Sequence, residues 1–144
     1  MKISTKGRYG ARAMIEIASA NNEKPTTLLE ISHNQEISKK YLHFILTRLK
    51  TAGLIKTVKG RTGGYLLAKK ASEITLRDIL IALEGELKVV DCIKKKQLCH
   101  RHKNCATRQI WQKLEKNIFD CLSNITLEQM LNDNLRVISK PQKS

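Results

Sequence analysis

Apolar positions recur at helical spacing along most of the chain. In residues 5–20, Ala11, Met14, Ile17 and Ala18 mark one face of a helix, which Asn21-Asn22 ends. Pro25-Thr26-Thr27 opens a second helix carrying Leu28, Leu29 and Ile31, and residues 33–36 form a short turn. Ser38 is a good N-cap for a third helix over residues 39–51. Its stripe is Leu42, Ile45, Leu46 and Leu49, the i, i+3, i+4, i+7 pattern of a buried face, and Gly53 stops it. The pattern then changes. Short runs at 54–59 and 65–68 flank Gly60-Arg61-Thr62-Gly63-Gly64, which predicts a β-hairpin. Thr75-Leu76-Arg77-Asp78 resembles a capping box with Asp in place of Glu and opens a helix to about Glu84. Residues 86–106 lack clear periodicity. Residues 107–123 read as a long amphipathic helix with Ile110, Leu114, Ile118, Cys121 and Leu122 on one face and Trp111 beside it. Thr126 caps a last short helix to about Leu131. The tail after Asn132 is polar and is expected to fray.

Three helices followed by a hairpin is the order of a winged helix-turn-helix, whose third helix enters the major groove while the wing touches backbone or minor groove. The predicted fold class is therefore mostly α with a small β-hairpin: a winged helix-turn-helix domain plus a long C-terminal helix. On the third helix Lys39, Lys40, His43 and Lys50 point away from the apolar stripe. Residues at the start of a recognition helix meet base edges, so Ser38, Lys39, Lys40, Tyr41 and His43 are the candidates there. Phe44 lies off the stripe and has two readings: an exposed ring against a thymine methyl, or packing against a neighbouring helix. Lys59 and Arg61 sit among the wing glycines and suit phosphates or a narrow minor groove.

Charge strengthens this picture. The 144 residues carry 27 Lys plus Arg against 13 Asp plus Glu, a formal net charge of +14. The excess is +10 over residues 1–70 and +4 over the rest, which places a polyanion-binding face in the first half. Double-stranded DNA is the expected partner. An anionic membrane surface is the competitor, but no strong basic amphipathic helix or lipid anchor is visible. Aromatic residues are 4%, too sparse for the usual RNA-stacking modules. The longest apolar run, residues 79–83, is far short of a membrane span, and no secretory leader is visible, so a cytoplasmic location is expected. No Walker loop, GxGxxG, HExxH or nucleophile motif appears, and no enzymatic activity is expected.

Cys92, Cys99 and Cys105 fall within 14 residues, spaced C-x6-C-x5-C, among Lys94, Lys95, Lys96, His100, Arg101, His102 and Lys103. In a reducing compartment such a set points to metal or thiol chemistry rather than disulfides. An iron–sulfur cluster, a zinc ion and metal-free redox thiols are all compatible with it. Cys121 lies on the apolar stripe and reads as core or interface.

Several segments together resemble one family. They are Met1-Lys2-Ile3-Ser4-Thr5-Lys6-Gly7-Arg8-Tyr9-Gly10, Ile37-Ser38-Lys39-Lys40-Tyr41-Leu42, Leu49-Lys50-Thr51-Ala52-Gly53-Leu54, residues 60–68, the three cysteines and Asn124-Ile125-Thr126-Leu127. The chain is similar, over about residues 1–132, to IscR-type members of the Rrf-two family of winged-helix transcription regulators. The resemblance implies a homodimer packed through the long C-terminal helix, bound to a pseudo-palindromic operator. It implies Cys92, Cys99 and Cys105 as ligands of a [2Fe–2S] or [4Fe–4S] cluster. Family members can complete the site with a histidine three residues after the third cysteine, or with an N-terminal acidic residue from the partner chain. Those positions hold Arg108 and Arg8 here. His100, His102, Asp91, Glu86 and an exogenous thiol or water remain as fourth ligands.

The expected organisation is a DNA-binding domain over 1–84, a cysteine-bearing loop over 85–106, a dimerisation helix and short C-terminal helix over 107–132, and a flexible tail over 133–144. The expected function is a regulator, in the main a repressor, that senses iron–sulfur cluster status and controls cluster-assembly genes. The alternative is a cluster-free, thiol- or partner-regulated repressor of sulfur or cysteine metabolism.

Overall fold

In a computed structural model, which describes residues 2–93, 99–101 and 103–139, the predicted order of elements is present. Helices α1 (Thr5–Ser19), α2 (Leu28–Gln35) and α3 (Lys39–Thr51) precede the hairpin β1 (Ile55–Val58) and β2 (Gly64–Leu67). Helices α4 (Leu76–Glu84), α5 (Ala106–Asn124) and α6 (Leu127–Ser139) follow. Short 3-10 turns lie at Ala71–Glu73 and Asp91–Ile93.

Local chemistry explains most boundaries. Ser4 caps α1, and Asn21 and Asn22 adopt left-handed φ values of 50° and 57° after it, a conformation that asparagine tolerates. Thr27 and Glu30 form a reciprocal capping box on α2, and the Glu30 carboxyl is held below its usual range chiefly by the Thr27 backbone N–H and then its hydroxyl. Thr75 and Asp78 form a second reciprocal capping box at the start of α4.

One core joins the first four helices, the hairpin and the start of α6. Ala13, Met14, Ile17 and Ala18 of α1 meet Ile31, the α3 stripe Leu42, Ile45, Leu46 and Leu49, strand residues Ile55 and Leu67, and Ile79 and Leu83 of α4. Each fully buried Leu or Ile contributes about 1.5–3 kcal/mol, so this face fixes α3 far more firmly than helix propensity does. A smaller cluster, Leu80, Leu87 and Leu122, joins α4 to α5.

Three features were not foreseen. Thr26 does not begin a helix; it pairs with Tyr65 through Thr26 N–H to Tyr65 O (2.9 Å) and Tyr65 N–H to Thr26 O (2.8 Å), lending the hairpin a third short edge. The chain at 125–127 pairs with that at 74–76, through Leu76 N–H to Ile125 O and Leu127 N–H to Ile74 O, both 2.8 Å. Finally, α6 does not stop at about Leu131 but continues to Ser139, so residues 133–139 of the expected tail are helical. Asn132, Asp133 and Asn134 are weak helix formers, which suggested a stop. However, Leu127 and Leu131 dock on the main core and set the helix, and Leu135 and Ile138 continue its spacing.

Helices α1 and α4 approach closely at two glycines. A Cβ at Gly10 would fall 2.0 Å from Leu83 Cδ1, and one at Gly7 would fall 2.9 Å from both Leu80 Cδ2 and Glu84 Oε1. Gly10→Ala is expected to cost about 1–3 kcal/mol through overpacking. Because Leu83→Val withdraws the clashing methyl, Gly10→Ala/Leu83→Val should lose less than the two single changes combined, as read by urea denaturation of the four-member cycle.

Candidate nucleic-acid interface and cysteine site

The direction of α3 is set by a network at the helix-turn-helix corner. Arg12 of α1 donates through Nε to Gln35 Oε1 (3.0 Å) and through Nη2 to the Gln35 carbonyl. Glu16 accepts from Asn34 Nδ2 (2.6 Å) and Gln35 Nε2 (2.7 Å). Glu36 then turns through a left-handed φ of 53°, and Ser32 Oγ donates to Ile37 O at 2.6 Å. The corner is thus held by side chains of α1, the helix behind it.

With its stripe buried, α3 exposes Lys39, Lys40, His43 and Lys50, as the spacing predicted. Ser38 Oγ accepts from the Tyr41 N–H at 3.4 Å, so this hydroxyl serves as the helix cap. Tyr41 is half-buried. Its ring meets Tyr9 of α1 edge-on at 6.0 Å and stacks on Phe44 at 6.3 Å with an interplanar angle of 14°. Phe44 is 44% exposed, and its recorded ring partners lie on its own helix: Tyr41 and the Arg48 guanidinium, 4.9 Å from the ring centroid. Arg12 extends the row at 5.4 Å over Tyr9. This ladder was missed in the sequence, although the i, i+3 and i, i+4 spacing of Tyr41, Phe44 and Arg48 carries its signal.

The wing tip closes through Gly63 N–H to Gly60 O at 3.1 Å, and both predicted cations, Lys59 and Arg61, are exposed there. The wing root is anchored to the end of α1. Asn22 accepts from Leu67 N–H (3.0 Å) and donates to Leu67 O (3.3 Å). At Gly64, with φ of 155°, a Cβ would fall 2.6 Å from Thr26 O, so only glycine permits this backbone approach. Recognition helix and wing are therefore two outgrowths of one rigid unit.

The cysteines follow α4 in the chain. Cys92 is in the 3-10 turn Asp91–Ile93, and Cys105 is the N-cap residue of α5. The turn packs on α5, and Arg108 Nη2 donates to Ile93 O at 3.0 Å, which ties the Cys92 segment to the helix that Cys105 begins. Cys105 Sγ lies 3.3 Å from Thr107 Oγ1. The Thr107 hydroxyl foremost, then the Arg108 backbone N–H, hold this thiol below its ordinary value, as expected at a helix N-terminus. Cys92, Cys99 and Cys105 are half-buried free thiols, and Cys121 is exposed. Among the described residues no three His, Cys, Asp or Glu side chains converge as a metal site. Glu86, Asp91 and His100 are exposed, whereas His102 and Lys94, Lys95 and Lys96 lie outside the described residues. Arg8, at the other position considered for a ligand, donates to Thr5 Oγ1 at 3.1 Å. Three thiols, one already biased toward thiolate, suit a thiolate-ligated cluster in donor chemistry.

The apolar stripe of α5 divides in two. Leu122 is buried in its own protomer against Leu80 and Leu87, and Ile118 packs partly there. Ile110 (59% exposed), Leu114, Trp111 and Cys121 face outward, as do Leu135, Val137 and Ile138 of α6. Cys121 is therefore not part of the protomer's core.

Comparison with known proteins agrees with this architecture. Residues 3–133 match the Rrf2 family model, described as iron-dependent transcriptional regulator. The HTH-type transcriptional regulator IscR of Serratia proteamaculans is 37% identical over 133 residues, covering 92% of this chain and 80% of that protein. The solved structure of T. potens IscR has a TM-score of 0.77 at 36% identity, covering 99% of this chain and 94% of that one. CymR, the global cysteine regulator of B. subtilis, has a TM-score of 0.78 at 35% identity, covering 92% of this chain and 97% of that one. These relatives are transcription regulators and not enzymes, and the chain belongs to the Rrf2 family of transcriptional regulators, with the winged-helix fold of its IscR-like members.

Proposed function

We propose that this chain is a homodimeric, cytoplasmic repressor that binds a pseudo-palindromic DNA operator and senses iron–sulfur cluster status through Cys92, Cys99 and Cys105, controlling cluster-assembly genes. The observation that carries the DNA part is the single rigid unit that presents both the cationic face of α3 and the basic wing tip. On this reading Ser38 caps and orients the helix. Lys39, Lys40, Tyr41 and His43 lie at the base edges, and Lys50, Lys59 and Arg61 meet phosphates or the minor groove. The outward apolar residues of α5 and α6 form the seam with the second copy.

A cluster bound by the three thiolates supplies a linkage sensitive to oxidation and to iron supply. The chain's own residues carry its consequence. Arg108 couples the Cys92 turn to α5, α5 rests on α4 through Leu122, Leu80 and Leu87, and α4 packs against both α1 and α3. Any change in how residues 86–106 pack is thereby felt by the angle between the α3 helices of a dimer. Such a change regulates only if its two states differ in affinity for DNA.

The second reading keeps the DNA unit and uses the same cysteines as metal-free thiols in control of sulfur or cysteine metabolism. The likeness to CymR favours it as strongly as the likeness to IscR favours the first. The lowered Cys105 thiol suits either chemistry.

Three outcomes check these assignments. Lys59→Ala/Arg61→Ala should weaken binding to all duplexes alike and flatten the dependence of log Kd on log salt by roughly one to two ions, whereas His43→Ala should change which sequence is selected from a random duplex pool. Leu114→Asp should shift the protein from dimer to monomer in sedimentation velocity without altering its circular dichroism. Anaerobically purified protein should carry iron and sulfide and absorb in the visible, and Cys99→Ala should lose both. Colourless wild-type protein that forms a reversible disulfide or sulfenate under mild oxidation, found by mass spectrometry, would sustain the metal-free reading instead.

A further inference from the structure

The outward line of α3 changes character along its length. Lys40 opens it, but the positions that follow at helical spacing opposite the buried stripe are Phe44 and Thr47. Thr47 has turned its hydroxyl back onto its own helix, donating to His43 O at 2.8 Å, which leaves that hydroxyl already partnered. Phe44 keeps 44% of its surface exposed on a face it shares with Lys40, His43, Thr47 and Arg48. The exposed part of that ring buries no apolar area in the free protein. It is also not loose. Tyr41 stacks on it, Tyr9 buttresses Tyr41, and Arg48 lies 4.9 Å from its centroid, so the row from α1 fixes where the ring points. A ring already positioned loses little conformational freedom when it is covered.

We infer that Phe44 is a specificity-determining residue that reads the C5-methyl group of a thymine in the major groove. The inference rests on the DNA-binding reading above. In that groove thymine is the base that offers a methyl group, and apolar side chains such as Phe and the Thr methyl are its natural contacts. The neighbouring cations Lys40 and Arg48 anchor the flanking phosphates or base acceptors but cannot distinguish thymine from cytosine by apolar contact. The ring can. Covering one methyl group in an apolar contact is worth roughly fourfold in Kd.

Replacing thymidine by deoxyuridine tests this directly, because it deletes the methyl group and keeps every Watson–Crick hydrogen bond. A duplex selected from a random pool by the full-length protein would be resynthesised with each dT changed in turn to dU. Wild-type protein should lose roughly fourfold in Kd, or more, at one position per half-site. Phe44→Ala should bind dT and dU duplexes equally at that position, and Phe44→Leu should retain part of the difference. The readout is a ratio within each variant, so an overall loss of affinity in a variant does not mask it. Wild-type binding indifferent to dU at every position overturns the inference while leaving DNA binding standing. So does a dT/dU ratio that survives in Phe44→Ala but vanishes in Thr47→Ser, which would make Thr47 the reader. Failure of the pool to yield any bound duplex would overturn this inference together with the DNA-binding reading.

Discussion

The close approach of α1 and α4 governs the geometry of the rest. Gly7 and Gly10 leave α1 without side chains where Leu80 and Leu83 press in, and the Glu84 carboxylate reaches the α1 N-terminus, accepting from Gly7 N–H at 3.2 Å and from the Ser4 hydroxyl. A carboxylate there shares the Gly7 N–H with the Ser4 cap and favours the positive end of the helix dipole; Lys6, 3.7 Å away, adds a partly exposed ion pair. Because α1 also holds the helix-turn-helix corner through Arg12 and Glu16, the placement of α4 and the placement of α3 are referred to one helix. Glu84 is the last residue of α4, and the cysteine-bearing segment begins after Gly85. The end of α4 is thus where the reading unit and the cysteine segment share a fixed point.

What was legible in the sequence was what short-range chemistry decides. Ser38 and the stripe Leu42, Ile45, Leu46 and Leu49 gave the bounds of α3, since an N-cap and an i, i+3, i+4 face are local signals. The hairpin followed from its glycines in the same way. The pairing of Thr26 with Tyr65 was not legible, because a single bridge between segments far apart in sequence leaves no periodicity behind. The full length of α6 was hidden by three weak helix formers whose local preference is outweighed by docking on the core. The α5 stripe was visible but its division was not. A helical pattern says that a face is apolar, not whether α4 of the same chain or a second copy covers it.

The same limit applied to the candidate site. Exposure of Lys39, Lys40, His43 and Lys50 was a consequence of the stripe alone and could be read directly. The role of Tyr41 depends on Tyr9, thirty-two positions earlier, and only the packing of α3 on α1 reveals that its ring is half-covered. Arg108 is a parallel case. Its spacing from Cys105 marked it as a departure from a ligand pattern, whereas its bond to the Ile93 carbonyl makes it a tie between two cysteine-bearing segments. Both residues contact a neighbour that only the fold brings close, and neither contact is visible in composition or spacing.

The magnitudes indicate where a regulatory change can act. Moving a two-state equilibrium from one form at 1% to the same form at 99% takes about 5.5 kcal/mol of differential interaction. The main core, with four α3 residues and four α1 residues fully or almost fully buried, represents several times that amount, so no reversible signal rearranges it without unfolding the domain. The cluster of Leu80, Leu87 and Leu122 is different in scale. Three leucines at about 1.5–3 kcal/mol each bracket the required difference, and the cluster stands between the cysteine segment and α4. On the reading proposed above, a change at the cysteines would meet this small cluster first and the larger core one layer further. That division between a small second core and a large first one makes the α4–α5 contact, rather than the packing of α3, the place where the proposed regulation would act.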